Sequence, residues 1–157
     1  SINIKDIGDL FLFNTINPLI HKFNEVFQSG KHENIYKEHP YFLRDFWVNY
    51  QHQHEYQPIH NHGGAYSFVI WLKIPTDYEE QNKDNTANFK LNGVFEIQYL
   101  NILGETCMYR YQLTKKDEGT MLFFPSRLLH AVYPYYNCEE ERVSISGNVW
   151  LNTDISR

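Results

Sequence analysis

From Asp45 onward the hydrophobic pattern of the chain has a period of two, and this constrains the fold more than any other feature. That period is typical of β-strands. Turn-forming residues separate the segments, and aromatic residues, at 17% of the chain, favour strands over disorder. The predicted strands are 45–51, 67–74, 94–100, 107–113, 120–125, 129–134 and 142–151. The pattern predicts a mainly β protein, either a β-sandwich or a jelly roll.

The N-terminal part of the chain has a helical pattern instead. Residues 17–30 are predicted to form a helix with Asn17 as its N-cap, Pro18 in its first position and Gly30 at its end. The apolar residues that share one face of this helix are Leu19, Ile20, Phe23, Val26 and Phe27. We therefore expect the helix to pack against a sheet.

The size and charge of the chain limit its organisation and its partners. A length of 157 residues fits one domain, with a helical part at 1–43 and a jelly-roll core at 44–157. The net charge of −5 provides no broad positive field, so nucleic acid and anionic membranes are disfavoured as partners. The chain shows neither a leader sequence nor a long apolar run, which predicts a cytoplasmic protein that is not secreted. Cys107 and Cys138 are accordingly expected to be free thiols.

The histidines are concentrated in one short segment, HQHEYQPIHNH, which suggests a need for imidazole. Two His-x-His pairs compete as metal ligands, His52 with His54 and His60 with His62. In an extended segment either pair places both rings on one side. The second pair leads directly into the predicted strand SFVIWLKI, where a rigid scaffold can hold ligands, so we favour it. The first pair is interpreted as an exposed strand or loop face.

A third ligand and an anion-binding group come from the last part of the chain. His130 is the candidate ligand because it opens a predicted strand. The final strand, RVSISGNVWL, places Arg142, Ser144, Ser146 and Asn148 on one polar face. Arg142 either neutralises the glutamates before it on a solvated strand, or binds a carboxylate inside a barrel through two parallel hydrogen bonds. Its position shortly after His130 favours the second interpretation.

These motifs together resemble the iron(II)/2-oxoglutarate-dependent oxygenases: a His-x-His pair, a buried strand and a distal His followed by Arg-x-Ser. The likeness covers roughly residues 44–151. The sequence resembles most the small members related to prolyl hydroxylases. It is also similar to oxygenase sequences of marine bacteriophage. The resemblance implies a double-stranded β-helix, a form of jelly roll, in which His60, His62 and His130 bind Fe(II) and act in catalysis.

The same resemblance implies a cosubstrate site and an activity. Arg142 and Ser144 would bind the far carboxylate of 2-oxoglutarate, and Tyr50 matches a tyrosine that touches the cosubstrate in prolyl-hydroxylase-like members. The implied enzyme is a dioxygenase that uses O2 to hydroxylate a C–H bond of a peptide or small molecule, with release of succinate and CO2. One departure is that His62 stands where the family usually has a carboxylate. Glu55 could replace that carboxylate if its loop folded back.

The cupins, which share the jelly-roll architecture, are the alternative class of metalloenzyme. The segment GTMLFFPSRLLHAVYP fits their second motif apart from Arg127, which stands in place of a glycine. Their first motif is missing, because Tyr66 and Ser67 occupy the place of its glutamate. A metal-free, ligand-binding jelly roll would leave the histidines unexplained. The polar segment 76–88 is predicted to be a long surface loop that rims the site and selects the substrate.

Overall fold

The computed structural model describes residues 1–27 and 40–152, and its strands form two antiparallel β-sheets that face each other. The major sheet contains β1 (Ile2–Asn3), β2 (Tyr41–Gln51), β4 (Tyr66–Lys73), β7 (Met121–Pro125) and β9 (Arg142–Leu151). The minor sheet contains β3 (Gln57–His60), β5 (Phe95–Leu100), β6 (Thr106–Tyr111) and β8 (Leu129–Val132). Their spatial orders are β1-β2-β9-β4-β7 and β3-β8-β5-β6. This mainly β architecture confirms the predicted jelly roll.

The apolar core between the two sheets is built from side chains that alternate inward along their strands. Val69 and Trp71 of β4 pack against Phe95 and Ile97 of β5, with Phe124 of β7 completing the cluster. The rings of Trp71 and Phe95 meet edge to face, with their centroids 5.7 Å apart. This packing fixes the distance between the sheets and leaves room for a cavity beside it.

The helical N-terminal part covers the outer face of the major sheet. Ile16 is fully buried and Ile20 is 3% exposed. Both pack against Phe68 of β4 and Val149 of β9. The predicted packing of a helix against a sheet is therefore observed, although Val26 and Phe27, at the end of the predicted apolar face, are exposed.

The helix begins earlier than the sequence predicts. A 3-10 turn at Ile7–Asp9 and a π-helical segment at Leu12–Ile16 lead into α1 (Asn17–Phe27). Asn17 has helical dihedral angles and its N–H donates to Leu12 O, so it is not the N-cap. The Asp6 carboxylate instead accepts the N–H groups of residues 11 and 12 at 2.9 and 2.8 Å. Pro18, which has no N–H to donate, follows the wide π-helical turn. Gly30, the predicted end, lies outside the described residues.

All seven predicted strands are present, and the sequence pattern does not reveal β1 and β3. β3 has only four residues and contains Pro58, so neither its length nor its composition predicts a strand. It nevertheless pairs with β8 in the minor sheet. The metal-ligand segment is therefore placed by a strand that the sequence pattern does not show.

The polar segment 76–88 is partly helical and well connected to the body of the protein. It contains a short helix, α2 (Tyr78–Asn82). The buried Asn82 side chain donates to the carbonyls of Tyr78 and Asn92. Gln81 exchanges two hydrogen bonds with the backbone of Tyr136, at 2.7 and 2.8 Å. These contacts differ from the unstructured loop that the composition predicts.

Two further features are the state of the cysteines and the character of the helices. Cys107 and Cys138 are both free thiols, as predicted. Within residues 1–27 and 40–152, none of the helices has the length and apolar character needed to cross a membrane.

Candidate metal centre and cosubstrate pocket

Three histidines from two separate parts of the chain meet between the two sheets. One ring nitrogen from each of His60, His62 and His130 lies within 4.8 Å of the other two. The ring centroids are 4.2 Å apart for His60 and His130, 5.0 Å for His62 and His130, and 5.1 Å for His60 and His62. Among the described residues this is the one group of three His, Cys, Asp or Glu residues that could hold a metal ion. Imidazole ligands suit iron, zinc, copper and nickel.

Strand pairing and two carbonyl groups orient His60 and His130. The two residues lie opposite each other in the β3–β8 pair. Nδ1 of His60 is 2.7 Å from Pro58 O, and Nδ1 of His130 is 2.9 Å from Leu128 O. A carbonyl accepts a hydrogen bond only from a protonated Nδ1, so the tautomer that this contact selects in each ring leaves the Nε2 lone pair for a metal.

His62 is held by its backbone and by an aromatic neighbour. Its N–H donates to Ser126 O at 2.9 Å. Its ring lies beside Trp47, with the two centroids 6.2 Å apart. Unlike the other two rings, the His62 ring has no hydrogen bond to a residue in the described part of the chain. The position of this ligand therefore depends on the loop that carries it.

Burial favours the neutral form of two of these rings. The pKa of His130 is lowered to about 4, mainly by burial and to a smaller extent by His60 and His62, while the carbonyl of Leu128 opposes the shift. The pKa of His62 is also lowered, mainly by burial and then by His60, while the Asp45 carboxylate acts in the opposite direction. A neutral imidazole is the form that coordinates a metal.

A cavity of about 380 Å³ lies between the sheets, and the three histidines line part of it. Its uncharged polar side chains are those of Ser1, Asn49, Gln51, Gln57, Ser67, Ser144, Ser146 and Asn148. Its apolar lining consists of Trp47, Phe68, Val69, Trp71, Phe95, Phe124 and Val132. Arg142 is the one Lys, Arg, Asp or Glu among the described residues that line it.

Arg142 is a buried cation without a counter-ion in the described part of the chain. It is 3% exposed at the start of β9. Nη2 donates to Gly93 O at 3.0 Å and Nη1 donates to Gln51 Oε1 at 3.3 Å, whereas the buried Nε has no partner among the described residues. Burial lowers the pKa of Arg142 to about 10. An uncompensated buried charge is strongly unfavourable, so this group is suited to an anionic ligand.

The glutamates that precede Arg142 do not neutralise it. Glu140 pairs with Lys73 at 2.7 Å, and Glu141 lies 3.2 Å from the Nε2 atom of His52. The polar face of β9 lines the cavity, with Ser144 two positions beyond Arg142 on the same strand. This arrangement supports the interpretation of Arg142 as a residue of a barrel interior.

The structure does not bring Tyr50 into the cavity. Its two neighbours in β2, Asn49 and Gln51, line the cavity, and alternation along the strand places Tyr50 on the opposite face. Its side chain is 42% exposed. The expectation that Tyr50 touches the cosubstrate is therefore not supported, because the side chain faces the wrong side of its strand.

The alternative metal ligands also lie away from the centre. His52 and His54 are both exposed, as expected for a loop face. His54 lies in the left-handed region with φ 69°, at the turn after β2. The Glu55 carboxylate accepts the N–H of His52 at 2.7 Å, so the loop does not fold back onto the metal centre.

Sequence reasoning missed the contribution of β2 to the cavity. Trp47, Asn49 and Gln51 all line it, and their regular alternation is the signal that could have identified them. Gln57, in the unpredicted strand β3, also lines it. In contrast, no residue of the described segment 76–88 contributes to the lining, so the structure does not place that segment at the rim.

Comparison with protein families agrees with this geometry. The model of the family described as "Putative 2OG-Fe(II) oxygenase" matches residues 45–148, more than half of the chain, and the match includes the three histidines and Arg142. This match favours the oxygenase family over the cupins. No curated protein matches the chain. The chain therefore belongs to the 2OG-Fe(II) oxygenase family, which implies Fe(II) and 2-oxoglutarate as its cofactors.

Proposed function

We propose that the protein is an iron(II)- and 2-oxoglutarate-dependent dioxygenase that hydroxylates a C–H bond of a peptide or small molecule. His60, His62 and His130 would hold the iron, and Arg142 with Ser144 would bind the 5-carboxylate of 2-oxoglutarate. The observation that carries this proposal is that a three-imidazole cluster and a buried guanidinium without a counter-ion line the same cavity.

The three histidines fit a ferrous ion chemically. Imidazole nitrogen is a suitable donor for iron, and the carbonyl hydrogen bonds of His60 and His130 fix the ring nitrogens that a metal requires. When bound, iron and 2-oxoglutarate supply the oxidising chemistry, in which O2 places one oxygen atom in the substrate and the other in succinate as CO2 is released. The ligand set contains no carboxylate, so it carries one negative charge fewer than the usual two-His, one-carboxylate set.

Arg142 is suited to bind and orient the cosubstrate. The unpartnered Nε can donate to a carboxylate oxygen, and the planar guanidinium can offer a second parallel hydrogen bond. The Ser144 hydroxyl, on the same cavity-facing side of β9, can add a third. The distal carboxylate would then occupy the Arg142 part of the cavity and direct the rest of the molecule towards the histidines.

The remaining lining favours an uncharged substrate. Asn49, Gln57 and Ser146 offer amide and hydroxyl groups, and no acidic or lysine side chain accompanies them among the described lining residues. These groups pair well with peptide amides or with the polar groups of a small molecule. The net charge of −5 disfavours nucleic acid. The likeness to marine bacteriophage sequences and the cytoplasmic location stay predictions.

The assignment of the metal ligands is tested by removing His130. We expect His130→Ala to lose tight binding of Mn²⁺, a redox-stable substitute for Fe²⁺, because two imidazoles hold the ion weakly. Titration calorimetry measures this binding, with His52→Ala as the matched control because His52 is exposed and away from the cluster. With iron, 2-oxoglutarate and O2, wild type and the control should form succinate and His130→Ala should not. Unchanged Mn²⁺ affinity in His130→Ala would exclude His130 as a ligand.

A further inference from the structure

A row of residues crosses the major sheet beside the metal centre, with one residue from each of four neighbouring strands. In strand order, from β2 through β9 and β4 to β7, the row consists of Asp45, Asn148, Ser67 and Phe124. The Phe124 ring contacts His130, with their centroids 5.2 Å apart. One end of the row therefore touches the metal cluster, and the other end is a carboxylate.

The polar members of the row form a hydrogen-bond chain that ends at the backbone of His62. Ser67 Oγ donates to Asn148 Oδ1 at 2.7 Å, and Asn148 Nδ2 donates to Asp45 Oδ2 at 3.2 Å. The hydroxyl oxygens of Ser67 and Ser126 are 2.9 Å apart. Ser126 O accepts the N–H of His62 at 2.9 Å. The loop that positions His62 is thus connected to Asp45 through three intervening residues.

This chain of polar groups lies in the interior of the protein. Ser126 is fully buried, Ser67 is 2% exposed and Asn148 is 6% exposed. Buried polar groups are unfavourable unless they are hydrogen-bonded, and a satisfied network holds its members in one arrangement. The network therefore fixes both the His62 loop and the Asp45 carboxylate in their positions.

Asp45 also lies on the part of β2 that reaches the metal cluster. Trp47, two positions further along the same strand, has its ring beside that of His62, with the two centroids 6.2 Å apart. A carboxylate at this place attracts any cation that the cluster binds. His62 contributes no charge of its own, whereas the carboxylate that usually occupies this position contributes −1.

We propose that Asp45 supplies, from outside the ligand set, the negative charge that the three-histidine centre lacks, and that the Asp45–Asn148–Ser67–Ser126 network fixes His62. Asp45 is a positioning residue, since it acts through its charge and through this network. The inference rests on the proposed function, because it requires a divalent cation at the three histidines.

The test is the Mn²⁺ affinity of Asp45→Asn, measured by calorimetry at low ionic strength. This variant removes the charge but keeps an acceptor oxygen for Asn148. We expect the affinity to fall on the order of tenfold, because one full charge near a divalent ion is lost. The loss should shrink at high salt, since salt screens a partly exposed charge. The matched control is Glu25→Gln, which removes one carboxylate from the exposed face of α1 and should stay within about twofold of wild type.

Asp45→Glu separates the charge from local packing. It keeps the carboxylate and should retain most of the wild-type affinity, whereas an equal loss in Asp45→Glu and Asp45→Asn would overturn the charge role. An Asp45→Asn affinity within about twofold of wild type would also overturn it and would leave the proposed function intact. If wild type itself did not bind Mn²⁺, both the proposed function and this inference would fail.

Discussion

At the scale of single residues, Arg142 shows most clearly how function opposes stability in this protein. The guanidinium is 3% exposed, makes hydrogen bonds to neutral oxygens and leaves Nε unpartnered within the described chain. Burying a cation this way costs free energy, and replacing buried charges by apolar groups of similar volume is often neutral or stabilising. A residue that weakens the fold is expected at a binding site, where its ligand compensates for it.

The prediction at this scale concerns Arg142→Met, which keeps an unbranched but shorter side chain and removes its charge. We expect the metal-free variant to unfold at the same temperature as wild type or higher, because an uncompensated charge is removed. Addition of 2-oxoglutarate to the Mn²⁺-loaded proteins should raise the unfolding temperature of wild type only, since a ligand stabilises the state it binds. Scanning calorimetry measures both effects. A large drop in the stability of the metal-free variant would show that Arg142 is a structural residue.

At the scale of elements, the N-terminal helix is a structural support and the strands carry the site. Ile16 is fully buried and packs on the outer face of the major sheet, opposite the face that lines the cavity. Strand β9 serves both sides, because Val149 contacts the helix while Ser144 and Asn148 face the cavity. Because side chains alternate along β9, one face of the strand packs against the helix and the other face lines the cavity.

We predict that Ile16→Ala lowers the free energy of unfolding by about 2–5 kcal/mol, because it leaves a cavity between helix and sheet. Leu10→Ala is the matched control, since Leu10 is 64% exposed and should change stability by about 0.5 kcal/mol or less. Chemical denaturation measures both values. Equal effects of the two substitutions would mean that the helix does not pack as described.

A strand or helix could be predicted from the sequence where its hydrophobic pattern is long enough. The period of two in β9 is long enough to predict that strand and the polar face of Arg142, and the apolar run of β4 is long enough to predict a buried strand. Strand β3 is only four residues with a proline, so tertiary pairing with β8 decides its structure. Asn17 is a residue type that favours the N-cap, but the Asp6 carboxylate accepts the N–H groups of residues 11 and 12, and the helix continues through Asn17.

At the scale of the whole molecule, the two sheets bring together parts of the sequence that local patterns cannot connect. His60 ends β3 and His62 follows that strand, His130 lies in β8, and Arg142 opens β9 on the opposite sheet. The sequence resemblance predicts that these residues act together, and the cavity shows how they face a common space. The orientation of Tyr50 and the position of segment 76–88 depend on three-dimensional packing, and there the sequence-based expectations do not match the structure.

The central claim is that one cavity binds a metal at the histidines and a dicarboxylate at Arg142, and the most direct test is the affinity for 2-oxoglutarate. Calorimetric titration without oxygen, at saturating Mn²⁺, compares wild type with Arg142→Met. Losing one partner of a buried charged pair costs about 3–5 kcal/mol, so the variant should bind 2-oxoglutarate more than about a hundredfold more weakly. Its Mn²⁺ affinity should be unchanged, because the guanidinium is not among the metal ligands. Equal affinity of wild type and Arg142→Met for 2-oxoglutarate would contradict the account.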